Sequence, residues 1–217
     1  MNAKKKKCII GGSILVIAIL FTILVKVVDV KAIGPNGSKV GFAAINQFFA
    51  DQLGTNMVWY HITEILGMVA ILCAGVYALI GLIQCIQRKS IWKVDRAIFL
   101  LGLFYIVVIL LYIFFEVCIV NYRPVLMEGA LEASYPSSHT MMTMCICGGI
   151  IVVNQKIIHK QKMKKLLNIL FSVMILVTVV GRFLSGVHWF TDIVGGFIIS
   201  SGLLILFSSL FTHKKQA

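Results

Sequence analysis

Six apolar runs, each long enough to cross a bilayer as a helix, constrain this chain more than any other feature of its sequence. A helix rises 1.5 Å per residue, so about 20 apolar residues span a hydrocarbon core about 30 Å thick. The runs cover about residues 8–28, 58–85, 97–120, 139–154, 166–180 and 193–211, with short polar connections between them. They predict an all-α, polytopic membrane protein with six transmembrane helices in one bundle, a single domain over residues 1–217. Between the first and second runs, Val40-Gly-Phe-Ala-Ala-Ile-Asn-Gln-Phe-Phe-Ala-Asp51 is apolar on one helical face, which predicts a short amphipathic helix lying in the interface.

Composition agrees, with 59% hydrophobic and 13% charged residues excluding an ordinary soluble domain. The net charge of +12 does not imply a nucleic-acid partner, because the lysines collect at helix ends and not on an aromatic-interleaved face. They report topology instead. Lys4–Lys7, the loop holding Arg88 and Arg96, the Lys156–Lys165 loop and Lys214-Lys215 fall on one side, against Lys26, Lys31, Lys39, Arg123 and Arg182 on the other. The excess of positive charge predicts that both termini are cytoplasmic, in the cell membrane. The first run follows a lysine cluster as a signal peptide would, but no Ala-x-Ala site ends it, so an uncleaved helix is expected.

Cys8, Cys73, Cys85, Cys118, Cys145 and Cys147 lie in or beside apolar runs without zinc-like spacing, and are expected to be small core residues. Met141, Met142 and Met144 are expected to pack. The pairs Gly148-Gly149 and Gly195-Gly196 fit close helix contacts. His61 and Glu64, three apart on one helix, are expected to pair with each other at the rim of a pocket.

Charge close to apolar runs needs a reason, since a charged group at bilayer depth costs about 2.5–3.5 kcal/mol on insertion scales. Three clusters stand out: Arg123-Pro124, Pro136-Ser137-Ser138-His139, and Arg182 with His188 and Asp192. The predicted topology puts all three on the outer face, where they can converge. If the chain after Gly186 is helical, His188 and Asp192 share a face and the carboxylate can hold one imidazole nitrogen, leaving the other basic. Ser134 is a plausible cap for the helix that follows, with Pro136 in its first turn. That helix start would aim free N–H groups at an anion. Two arginines, two histidines, an aspartate, a serine and a helix N-terminus describe a pocket for phosphate or diphosphate. Arg123 and Arg182 would hold nonbridging oxygens, and Ser137 with nearby N–H groups would complete the cradle. His188, oriented by Asp192, would attack phosphorus, and His139 would protonate the leaving alkoxide and then activate water.

These residues resemble the three signature motifs of the type-2 phosphatidic acid phosphatase family, integral-membrane lipid phosphate phosphatases, with the motifs lying within residues 116–192. The resemblance implies a six-helix bundle and extracytoplasmic, metal-independent hydrolysis of a lipid phosphate or diphosphate, without a cofactor, through a phosphohistidine. It implies catalytic roles for His188, His139 and Asp192, and phosphate binding by Arg123, Arg182, Ser137 and Ser138. Candidate substrates by analogy are undecaprenyl diphosphate, phosphatidylglycerol phosphate and phosphatidic acid, and the expected partners are that lipid and the surrounding membrane. Ser138 replaces the usual glycine, Gly181 the usual serine, and Glu116 the usual lysine seven residues before Arg123. Two helical turns would bring Glu116 to an arginine, where it would modulate the site. An alternative is a catalytically silent relative that binds or moves a phospholipid, with Glu116 as the mark of lost hydrolysis. A solute transporter fits poorly, because the mid-span positions are almost wholly apolar.

Overall fold

A computed structural model describes residues 2–212, so the Lys214-Lys215 pair lies outside the described residues. Six of its helices are long and apolar enough to cross a membrane. They are α1 (Ala3–Val27), α3 (Met57–Arg88), α4 (Arg96–Val117), α5 (Ser138–Ile157), α6 (Gln161–Leu184) and α7 (Phe190–Ser209); the short α2 (Ala43–Leu53) stands between the first two. The six apolar runs are helical over most of their length, and the segment expected to be helical over 40–51 is so from Ala43 on.

Local chemistry sets several of the helix starts. The Asn56 side chain accepts hydrogen bonds from Val58 N and Trp59 N at 3.1 and 3.2 Å, satisfying donors that have no partner within α3. Helix α2 is capped from a distance. Its preceding residue, Phe42, has φ +48° and no capping group, so Asp29 Oδ2 accepts from Ala44 N at 2.7 Å. That hydrogen bond, followed by the Lys31 ammonium, holds the Asp29 carboxyl below its ordinary range.

Helices α5 and α7 form the interior of the bundle, with most of their apolar windows buried, whereas α1, α3, α4 and α6 leave broad apolar faces outward. Outward Leu, Ile and Val are what a bilayer demands of an outer helix. The core runs through Leu101, Phe104 and Val108 of α4, Met141 and Cys145 of α5, and Ile199, Leu203 and Phe207 of α7. Phe104 stacks on Phe207 with ring centroids 4.5 Å apart. Without a strong hydrophobic drive inside lipid, close approach through small residues supplies much of the packing. A Cβ at Gly148 would lie 2.6 Å from Leu204 Cδ1, and one at Gly202 would lie 2.7 Å from Leu15 Cδ2. Both glycines therefore serve contact. Met141 and Met144 are buried as expected, and so are Cys145 and Cys147. Cys8 and Cys118 are not core residues: both are exposed, although the Cys8 thiol donates to Ser209 Oγ of α7 at 3.4 Å.

Candidate active site

The three sequence clusters meet at one end of the bundle, around the loop between α6 and α7. Gly186 makes that loop possible. Its φ is +65°, and a Cβ there would sit 1.8 Å from Gly54 O, so neither the conformation nor the space admits a side chain. The neighbouring Ser185 carbonyl accepts from Asn56 N at 2.9 Å, which ties the loop to the α2–α3 connection. From α2, Asn46 donates to Thr191 Oγ1 at 3.0 Å and accepts from Thr191 N at 3.1 Å, fixing the first turn of α7.

His188 lies two residues ahead of α7, not on it, so the expected helical pairing with Asp192 does not form. Their closest approach, Nδ1 to Oδ2, is 3.9 Å. The carboxylate turns back to accept from Trp189 N at 2.9 Å, capping its own helix, and also accepts from Asn121 Nδ2 at 3.3 Å. Ser134 fills the interval. Its hydroxyl is 3.0 Å from His188 Nδ1 and 2.5 Å from Asp192 Oδ2. On the other side of the ring, Arg123 Nη1 is 3.2 Å from Nε2. A guanidinium can only donate, so Nε2 is the accepting nitrogen and Nδ1 carries the proton. The direction of every bond follows: His188 Nδ1–H donates to Ser134, Ser134 donates to Asp192, and the lone pair on Nε2 points at Arg123. Burial first, then the charges of Arg123, Arg182 and His139, hold the imidazole well below its ordinary pKa, which keeps that lone pair available at neutral pH.

A second cluster forms around Glu64 of α3. Its Oε1 lies 3.1 Å from His139 Nε2 and is also bonded by Arg182 Nη2. Arg182 is fully buried beneath the Tyr60 ring, 5.0 Å from its centroid, and its Nε and Nη1 have no hydrogen-bond partner among the described residues. Buried guanidinium N–H groups without acceptors are costly, and an anion's oxygens are the natural partners. A groove of about 330 Å³ opens beside this cluster, lined by Glu64, Gly67, Ser138 and His139 at one end and by Met68, Ile71 and Ile146 at the other. Polar head and apolar flank suit a lipid phosphate.

Several expectations need correction. Ser134 does not cap α5; Ser137 does, with its hydroxyl turned to Thr140 N at 3.5 Å and no exposed surface. The Ser137 hydroxyl accepts in that cap and keeps its own O–H to donate, while Ser138 borders the groove. Glu116 forms no ion pair with an arginine among the described residues. Arg123 Nε pairs instead with Glu132 at 3.0 Å, because the short bridge joining Tyr122 to Ala133 brings Glu132 alongside it. Glu116 is exposed and borders a small void shared with Ser134 and Ser138. His61 is exposed against Tyr60, leaving Glu64 to the site. Glu64 and Ser134 were legible only in part: an acid two turns inside an apolar span is a signal, while a serine three residues before Ser137 reads first as a cap.

Fold and site together define a multi-pass helical membrane protein with two buried arginines, a buried histidine and a partly buried one gathered at one end of the bundle. The PAP2 superfamily pattern matches residues 97–216, more than half of the sequence, and the chain belongs to that superfamily. Among solved structures, the chain is similar to the first transmembrane PAP2-type phosphatidylglycerolphosphate phosphatase from Bacillus subtilis. The two share 19% identity at a TM-score of 0.62 over 93% of this chain and 94% of the other, so the likeness is one of fold. Among curated proteins, no relative matches this sequence.

Proposed function

We propose that this protein is a membrane phosphatase that hydrolyses a lipid phosphate or diphosphate through a phosphohistidine on His188, at the extracytoplasmic face. The observation that carries it is the setting of the buried His188 ring: Nδ1 lies against Ser134, which donates to Asp192, and Nε2 faces the Arg123 guanidinium, a group that can only donate, which supports a neutral imidazole with its lone pair on Nε2. That is the state a nucleophilic histidine requires. Nε2 attacks phosphorus, a P–N bond forms as the bond to the leaving oxygen breaks, and His139 gives that oxygen a proton. Water then attacks the phosphohistidine with His139 taking its proton, and phosphate departs. Arg123 moves from Nε2 onto a phosphoryl oxygen as the substrate enters, and the two unpartnered nitrogens of Arg182 receive others. The chemistry needs no metal or cofactor.

The groove beside His139 supports a substrate whose head stays at the bundle end while its tail runs along apolar helix faces. Phosphatidylglycerol phosphate, phosphatidic acid and undecaprenyl diphosphate all have that form. The excess of Lys and Arg on the side of the termini, against few on the side of the site, supports placing the site outside and both termini in the cytoplasm. The test is phosphate release from a panel of lipid mono- and diphosphates by detergent-purified protein, with chelator present, comparing the unaltered chain with His188→Ala and Glu116→Lys. Chelator-resistant release that His188→Ala abolishes is expected, with Glu116→Lys changing the substrate ranking. Release that survives His188→Ala, or none from any lipid, rejects the proposal.

A further inference from the structure

Glu64 reaches the site from α3, a helix that carries none of the three motif clusters. A single oxygen of its carboxylate is shared between His139 Nε2 and Arg182 Nη2. One anionic oxygen bridging an imidazole and a guanidinium is the bonding a nonbridging phosphoryl oxygen would adopt with the same two donors. Both cannot occupy it. The carboxylate is also a poor match for what surrounds it, since Arg182 is fully buried and keeps two nitrogens without acceptors even with Glu64 in place. A tetrahedral group with several oxygens could satisfy more of those donors than one carboxylate oxygen does. Glu64 has somewhere to go, because its side chain is one-third exposed (33%) and borders the groove of about 330 Å³. The same contact engages the ring nitrogen of His139 that faces the groove, while His139 Nδ1 is buried without a partner. His139 is therefore free to give a proton to a leaving group only once Glu64 has moved.

We propose that Glu64 is an internal competing anion: it holds the Arg182 and His139 donors until a phosphoryl group displaces it. This deepens the phosphatase reading and rests on it. Any phosphoryl ligand must break the same Glu64 contacts, so the carboxylate weakens free inorganic phosphate and a lipid phosphate by the same factor. The lipid offsets that cost with the interactions of its tail in the groove, whereas free inorganic phosphate, the product of monoester hydrolysis, has nothing to offset it and is kept off the site at concentrations where the lipid still binds.

The experiment compares the unaltered chain with Glu64→Gln, which keeps the size of the side chain and removes its charge. Binding of inorganic phosphate to purified protein in detergent is measured by calorimetry, without turnover. The dissociation constant is expected to fall at least tenfold in Glu64→Gln, with inhibition of turnover by added phosphate strengthening in step. An unchanged or weaker affinity for phosphate overturns the proposal. Should Glu64→Gln fail to fold, the unaltered chain gives an independent answer. Saturating phosphate is expected to release the carboxylate and increase its labelling by a water-soluble carbodiimide, read by mass spectrometry; constant or reduced labelling overturns the proposal. Hydrolysis of lipid phosphates with no change in either phosphate measurement removes only this role for Glu64. Loss of all hydrolysis in the unaltered chain removes the broader phosphatase reading.

Discussion

Ser134 is where the structure departs most usefully from the expected pairing of His188 with Asp192. Replacing it by alanine removes a buried hydroxyl that bridges His188 Nδ1 and Asp192 Oδ2 at 3.0 and 2.5 Å. The carboxylate keeps its bond from Trp189 N, but the histidine proton loses its acceptor, and Asp192 is 3.9 Å away. A hydrogen bond linked to a charged group contributes about 1.5–3 kcal/mol, and an unsatisfied buried donor costs a similar amount. If the full effect falls on the reacting tautomer, kcat/KM drops by about 10- to 150-fold. Most of that belongs in kcat, because neither Ser134 nor Asp192 lines the groove proposed to hold the lipid. The assay is steady-state phosphate release in mixed micelles for Ser134→Ala, Asp192→Asn and the double variant. Groups acting through one chain of bonds should not add, so the double variant is expected to resemble Asp192→Asn alone, with a coupling of about 1 kcal/mol or more. A Ser134→Ala enzyme within twofold of the unaltered one, or two effects that simply add, would refute the relay.

Two further outcomes follow from packing and charge. In Gly195→Ala the new Cβ would lie 2.4–2.7 Å from Tyr135, a fully buried ring whose hydroxyl is bonded to Thr22 Oγ1 at 2.8 Å, so α7 must shift instead of the ring. Overpacking of this kind costs about 1–3 kcal/mol. The thermal midpoint should fall, whereas Gly12→Ala, which meets nothing within 4 Å, should leave it in place; equal midpoints would contradict the close contact. Arg123→Gln removes the nearest cation opposing protonation of His188, whose depression comes first from burial and then from that charge. The protonated ring then persists to higher pH, so the His188 titration followed by NMR of labelled histidine should move upward, with the acid limb of kcat/KM moving the same way. An unmoved titration would show that the Arg123 charge has no part in the depression.

The helices were legible because each span is long and uniformly apolar, and a bilayer leaves such a segment little choice but to satisfy its backbone internally. The meeting of Arg123 with His188 and of His139 with Arg182's cluster followed from the parity of the crossings, which puts their connections at one end. What the sequence hid was the identity of the partners. His188 and Asp192 are four apart, and that spacing reads as a helical pair, yet a carboxylate at the third position of a new helix is drawn to the free N–H of Trp189. Once the cap takes it, a third group must bridge to the histidine, and the serine able to do so lies 54 residues away from His188 on another connection. Glu64 is the same problem in reverse. Its neighbour His61 is close in sequence and on the same helix, but turns outward beside Tyr60, while the buried guanidinium of Arg182 draws the carboxylate across 118 residues. Leaving that guanidinium without a counter-charge in a dry site would cost more than breaking an exposed pair between helical neighbours, so burial selects the distant partner over the near one.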